Sequence, residues 1–445
     1  MRLSLRLFSI FWLPVACIAG DFKADFGNNA CVKHEVTGDV YSGELSLETA
    51  IQSSLQHHPA LRLAGCQIMA SDGRLVQAGL RPNPEASVAV ENFAGSGTRS
   101  GLNAAETTLQ VSQLIELGGK RGRRIALANS EREIASWELA SQRLSIVTGT
   151  RLAFIDVLVA QARLELAVEL SALAKSLSRG VATKVKAGKV SPIEESRAMV
   201  DVSRADIAVT AAQSRLEASR QRLALNWGES GAHFTRALGT LETLPTSPPL
   251  AQVLQQIDHN PALARWPSEM KRRDSALQLA SAMGVSNIVL SGGLRQFADS
   301  DDVGIVVGLS VPLPLFNRNQ GAILAAQADM AAADAGLSTD RLALLNEVHT
   351  QYQALQTARA EEESLRTRVL PLARRVLKAT SEGYRQGKFG LMEVLDAQRI
   401  VFESRAVHVE AMASRHRAAA QLEGLIGTGL DKLADVDLLN PEVYP

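Results

Sequence analysis

Apolar residues recur along this chain with two different periods. Leu152, Ile155, Val159, Ala162, Leu166, Leu170, Leu173 and Leu177 are three or four apart with one stutter. That spacing predicts the narrow seam of a coiled coil rather than the broad stripe of a globular helix. Val303, Ile305, Val307, Leu309 and Val311 alternate with Gly304, Val306, Gly308 and Ser310, the two-residue period of a strand with one aliphatic face.

Both patterns belong to a unit that occurs twice. His57-His58-Pro59-Ala60-Leu61 returns as His259-Asn260-Pro261-Ala262-Leu263, each closing a short amphipathic segment. LQVSQLIELGGKRGRR (109–124) is matched in position by VGLSVPLPLFNRNQGA (307–322), and AGKVSPIEESRA (187–198) by QGKFGLMEVLDA (386–397). Three landmarks in one order, about 200 residues apart, define a tandem duplication. Each unit predicts a helix (about 59–80 and 261–283), a pair of strands (about 85–93 and 107–114; 286–297 and 303–311), and then two long helices. The helices are expected at about 119–186 and 191–227, and at about 318–386 and 390–426. At 1.5 Å per residue the longer ones would reach ~100 Å. Proline placement agrees, since none falls between Pro84 and Pro192 or between Pro314 and Pro371.

The expected divisions are 1–20 as a signal peptide, 21–44 as an N-terminal extension, and 45–228 as the first repeat. A linker or equatorial segment follows at 229–248, the second repeat at 249–427, and a tail at 428–445. MRLSLRLFSIFWLPVACIAG has a basic start, an apolar middle too short to span, and small residues at its end, as secretory signals do. Cys17 offers the alternative of a lipid anchor, although Pro14 stands where such motifs carry leucine. Cys31 and Cys66 are left as a pair that an oxidising compartment could join. No further segment has 18 uninterrupted apolar residues, so no membrane-spanning helix is expected in the mature chain.

Composition narrows the function. Lys plus Arg and Asp plus Glu are 47 each, so the formal net charge is zero and a globally basic nucleic-acid binder is excluded. Aromatic residues are 4%, too few for a single-chain barrel with two aromatic girdles. The eight histidines form no HxxxH or HExxH set, and no nucleophile–base pair or phosphate-binding glycine loop is present. The chain reads as non-enzymatic and without a cofactor. Alternation alone fits a half-buried soluble sheet as well as a transmembrane one. Four strands cannot close a barrel, however, and lipid forbids open edges. Membrane-spanning strands would therefore require several chains to share one barrel. A secreted structural coiled coil is the competing class.

The duplication, the QLIELGGKRGRR segment and the run from Pro371 through Tyr384-Arg385-Gln386-Gly387-Lys388 to Glu393-Val394-Leu395-Asp396-Ala397-Gln398 together carry a resemblance. Over nearly all of the mature chain the sequence resembles the TolC-type outer-membrane efflux proteins, and within them the CzcC-like heavy-metal branch. The resemblance implies a mainly α fold with a small β part: tandem-duplicated coiled-coil helices plus four transmembrane strands per chain, closing as a trimeric α/β barrel. It further implies an outer-membrane location with a helical tube in the periplasm. The partners would be a membrane-fusion adaptor and a proton-driven inner-membrane pump of the RND type. The duct would be passive and export heavy-metal cations, with drug or protein cargo as the alternative.

Within that frame Lys120, Arg121, Arg123 and Arg124, between a strand and a helix, are expected to anchor at lipid headgroups. Arg81-Pro82-Asn83-Pro84 and Pro312-Leu313-Pro314 mark the bends between helix and strand. Gly188 and Gly387 are expected as C-terminal helix caps, Lys189 and Lys388 as charges suited to helix ends, and Ser191-Pro192-Ile193-Glu194 as a capping box. The resemblance makes these turns, with Tyr384, the periplasmic tips that dock the adaptor. It also places Glu393 and Asp396, three apart on one helix face, in a carboxylate ring at the closed aperture. Capping alone would explain Glu393 but not Asp396.

Overall fold

The computed structural model describes residues 43–243, 248–427 and 430. The expected signal peptide, Cys17, Cys31 and the segment after 430 lie outside the described residues; Cys66 is disulfide-bonded.

The first repeat runs β1 (Gly43–Leu45), α1 (Leu47–His57), α2 (Pro59–Gly79), β2 (Glu85–Glu91), β3 (Glu106–Ile115), α3 (Lys120–Lys186) and α4 (Pro192–Ala224). β4 (Phe234–Ala237) lies in the linker. The second repeat runs α5 (Leu250–Gln255), α6 (Pro261–Ala264), α7 (Trp266–Met283), β5 (Ile288–Phe297), β6 (Val303–Ser310), α8 (Gln320–Ser364), α9 (Leu370–Arg385) and α10 (Leu391–Ile426). The duplicated Pro-Ala-Leu landmark proves to be a helix start. His58 Nδ1 accepts from Ala60 N at 3.1 Å and Asn260 Oδ1 from Ala262 N at 2.8 Å, with proline in the first turn of each helix. The two proline-rich breaks fall between α2 and β2 and between β6 and α8.

Two features were not legible in the periodicity. β1 and β4 form a two-stranded parallel sheet, Gly43 beside Phe234 and Leu45 beside Ala237. Strands of three and four residues are too short to show alternation. The expected continuous helix 318–386 is also interrupted, by a π-turn over Leu365–Val369. Pro371 lies two residues beyond it, and a proline, having no N–H to donate, favours such a break in the hydrogen-bond ladder.

The long helices form a wall in the order α4, α3, α10, α8, with adjacent members packed side by side. The α3 seam splits into two faces where it is most apolar. Ala153, Phe154 and Val157 pack with Leu45, Ala50, Leu223, Trp227 and Phe234, around the small sheet. Ile155 and Val159 turn to Met412, Ala413 and Ala420 of α10. One window of α3 is apolar enough by composition to cross a membrane, but these residues of it are spent on helix–helix and helix–sheet packing. α4 meets α3 through buried alanines at heptad spacing, Ala198, Ala205 and Ala212, which lets the two backbones approach closely. A third cluster joins Val253, Leu263, Trp266, Val348, Leu355, Leu422 and Ile426, fixing α5, α6 and α7 to α8 and α10.

β2, β3, β5 and β6 form one antiparallel sheet in that order. β3 and β5 pair across the two repeats, from Glu106 beside Phe297 to Ile115 beside Ile288. The duplicated hairpins are therefore joined edge to edge, and among the described residues β2 and β6 have free outer edges.

Candidate functional site

Strand register decides what each face of the sheet carries. Val88 opposes Leu109, Leu109 opposes Leu294, and Leu294 opposes Ile305, so one row of aliphatic side chains crosses all four strands. Nothing covers it: Ile305 is 82% and Val307 76% exposed. The opposite face is polar. Glu91, Glu106, Thr108 and Arg295 share it, and the Arg295 guanidinium lies 3.2 Å from Glu91 and donates to Glu106 and to Thr108 Oγ1 at 2.9 Å. A half-buried soluble sheet puts its aliphatic face against a core; this one puts its ions inward and its aliphatics outward.

One member of the basic run at the strand-to-helix junction has a different task from the one expected. Lys120 is 4% exposed, and its ammonium donates to Val285 O and Asn287 Oδ1, both at 2.5 Å. It fastens the start of α3 to the strand entry of the second repeat, so the lipid-anchor expectation fails for Lys120. Arg124 pairs with Glu116 and donates to Leu80 O at 3.3 Å, and Arg121 donates to Gly79 O at 2.5 Å. Arg123 donates to Gln278; with Arg121 it remains solvent-exposed. Gly119, at φ 68°, gives the left-handed entry to α3, and Asn319, at φ 61°, gives the same entry to α8. Asparagine tolerates that conformation better than other side chains.

At the far end the helix tips repeat one motif. Gly188 and Gly387 have φ of 67° and 73°. Lys189 N donates to Lys184 O at 2.9 Å and Gly188 N to Val185 O at 2.9 Å; Lys388 N donates to Gly383 O at 2.8 Å and Gly387 N to Tyr384 O at 3.2 Å. Both turns are Schellman caps, and Lys189 and Lys388 are exposed beside them. Ser191 caps α4 by accepting from Ile193 N at 3.4 Å. The capping box is only half formed, since Glu194 Oε2 is buried without a partner.

Tyr384 ties the two tips together. It packs with Val181 of α3, Ala198 of α4, and Leu391 and Val394 of α10. The Lys184 ammonium lies 3.6 Å from its ring centroid and donates to Tyr384 O at 3.1 Å, the carbonyl that also receives Gly387 N. Burial, and after it the Glu194 carboxylate, push the Tyr384 phenol above its ordinary pKa. Lys184 and Gly383 had not been singled out in the sequence, and Glu194 only as a capping residue. Only the fold shows that a Cβ at Gly383 would collide with the Phe389 ring.

Glu393 and Asp396 are both exposed on α10. Asp396 pairs with Arg399 at 3.0 Å, so Glu393 carries the larger share of uncompensated charge. Counted from the helix starts, Glu393 is the counterpart of Glu194, while Asp396 corresponds to Arg197. Among the described residues, no group of three or more His, Cys, Asp or Glu side chains could hold a metal ion.

A sheet with ions on one face and, among the described residues, uncovered aliphatics on the other and both edges free, mounted on a 67-residue helix, marks a component of a membrane channel. The chain belongs to the outer membrane efflux protein family, whose model matches residues 50–229 and 257–428, one segment per repeat. Its members are passive outer-membrane ducts, not enzymes, with a helical tube in the periplasm, and they serve as components of tripartite efflux systems. Over 424 residues the chain is 30% identical to the cobalt-zinc-cadmium resistance protein CzcC of Cupriavidus metallidurans, covering 95% of this chain and 99% of that protein. The outer membrane protein TolC of Vibrio cholerae is 23% identical over 352 residues, 74% of this chain and 76% of its own length. Among solved structures, a membrane protein from Pseudomonas aeruginosa superposes with a TM-score of 0.75 at 18% identity, covering 90% of this chain and 94% of the other. CusC gives 0.72 at 17% identity, with 86% and 92% covered.

The tip geometry makes one stability contrast testable. Gly387→Val forces a β-branched residue into the left-handed region and should cost about 1–2 kcal/mol or more, read as a lower thermal midpoint by circular dichroism. Gly65→Ala, in α2, where an added Cβ meets nothing, should instead stabilise by about 0.5–1 kcal/mol.

Proposed function

We propose that this protein is the outer-membrane duct of a heavy-metal cation efflux system, assembled as a homotrimer. The observation that carries the duct is the four-stranded sheet with an uncovered aliphatic face and two free edges. Three copies of four strands would close a barrel of twelve, β6 of one chain beside β2 of the next. The polar face carrying Arg295 would then line water and the Ile305 face would meet lipid. Cysteine at 305 or 307 should react with lipid-soluble probes, and cysteine at 304 or 308 with water-soluble ones, in a protein that migrates as a trimer. The reverse labelling, or a monomer in mild detergent, overturns the assembly.

Metal cargo is supported by similarity to CzcC along almost the whole of both chains. Deleting the gene should sensitise cells to zinc, cadmium or cobalt by severalfold and leave tolerance of hydrophobic drugs unchanged. Drug sensitivity with normal metal tolerance would favour the wider export role represented by TolC.

In this assembly the tips dock a periplasmic adaptor, through which the duct meets a proton-driven pump of the RND type. Gly188, Lys189, Ser191, Tyr384, Gly387 and Lys388 are the contact candidates, and Gly387→Val should abolish adaptor cross-linking while the trimer persists. Arg121, Arg123 and Arg124 would lie at the level of the lipid headgroups. Glu393 and Asp396 would ring the periplasmic aperture and favour cations. Glu393→Gln with Asp396→Asn should lower cation preference in planar bilayers, with Glu393→Gln alone giving most of the loss because Arg399 already offsets Asp396. Unchanged selectivity together with a lower thermal midpoint would make both residues helix-stabilising only.

A further inference from the structure

A groove of about 380 Å³ lies where α3 is flanked by α4 and α10. It is on the side of α3 turned away from the small parallel sheet. Phe154, Val157 and Gln161 meet that sheet and the linker, whereas Asp156, Ala160 and Arg163 line the groove, about half a helical turn round. Elements added to a closed helical tube fit only outside it, so on the trimeric-duct reading the groove opens into the lumen.

Its charges do not balance. Arg163 donates to Glu410 at 2.5 Å, and Arg417 donates to Glu410 and to Asp156, each at 2.9 Å. Burial disfavours the Glu410 charge, but Arg417 and Arg163 outweigh it and hold this carboxyl below its ordinary pKa. Both carboxylates of the groove are thereby engaged. Arg215 and Arg222 of α4 line the same groove with no carboxylate partner among the described residues. Four guanidinium groups against two carboxylates leave an excess of two positive charges. Arg163 Nε is also buried with no acceptor. Arg163 and Arg215 are equally far from the tip along their antiparallel helices, so they flank one level of the groove.

We propose that this groove is an oxyanion site, taking a dianion of the phosphate or sulfate class between Arg163, Arg215 and Arg222. Guanidinium forks bind tetrahedral oxyanions through paired, charge-assisted hydrogen bonds, and the cavity has room for such an ion with some of its water. The site goes beyond passive conduction. A trimer would carry one per chain as a basic belt above the acidic aperture, so that cations passing the aperture meet bound counter-anions within the tube.

Inorganic phosphate titrated by calorimetry into the purified full-length protein in detergent, at low ionic strength, tests the proposal. One phosphate should bind per chain, sulfate should compete, and Arg215→Gln with Arg222→Gln should weaken binding at least tenfold. Arg197→Gln, on the same helix but outside the groove, should leave it unchanged. The thermal midpoint, measured on the same preparations, should be retained by the double variant. A folded wild-type protein that binds no phosphate, or a double variant that binds it equally well, overturns the site. Pores without phosphate binding would remove the site and leave the duct, whereas phosphate binding without pores would remove the duct and leave the site.

Discussion

A strand edge cannot lie in hydrocarbon with its N–H and C=O groups unpaired, because each unpaired group costs several kcal/mol there. The β2 and β6 edges impose that constraint on the whole chain. In the proposed duct their aliphatic face meets lipid, and the edges beside it need partners. The chemistry that completes them is already present, since β3 and β5 join one hairpin to the other by the same antiparallel pairing. The contact between repeats is thus a pattern for contact between chains. In the proposed duct each repeat delivers two strands to the barrel and two long helices to the tube, so one wall can continue into the other without a surplus element.

Duplication conserves backbone devices more strictly than side-chain charge. Both long hairpins turn through the same Schellman cap, and the first long helix of each repeat begins from a left-handed residue, Gly119 or Asn319. Beside this shared geometry the chemistry diverges: Arg197 stands where the second repeat has Asp396, and buried Lys120 where it has Gln320. A left-handed turn tolerates few residues, whereas an exposed helix position tolerates nearly any, so the two halves became electrically distinct while remaining similar in shape.

The long-range architecture was readable in the sequence because it rests on periodic patterns. The alternation at Val303–Val311 located β6 to within a residue, and the Gly-Lys pairs located both tips. What escaped depends on contacts between distant residues. Lys120 looks like any junctional lysine until Val285 and Asn287 are brought against it. Lys184 and Tyr384 are 200 positions apart and meet only because the hairpins run side by side. The π-turn at Leu365–Val369 leaves the apolar pattern almost undisturbed, so Pro371 was its only sequence mark. The Arg215 and Arg222 groove needs three helices to exist at all.

The alanine seam between α3 and α4 has a geometric consequence. Helix axes pack about 8–10 Å apart according to the side chains between them, and small residues such as the buried Ala198, Ala205 and Ala212 favour the short end of that range. In a closed ring of helices every axis-to-axis spacing contributes to the circumference, so these methyl groups act as a gauge for the bore. A leucine at Ala205 would lengthen one segment of the perimeter in every chain, and the diameter would widen although no residue facing the lumen had changed.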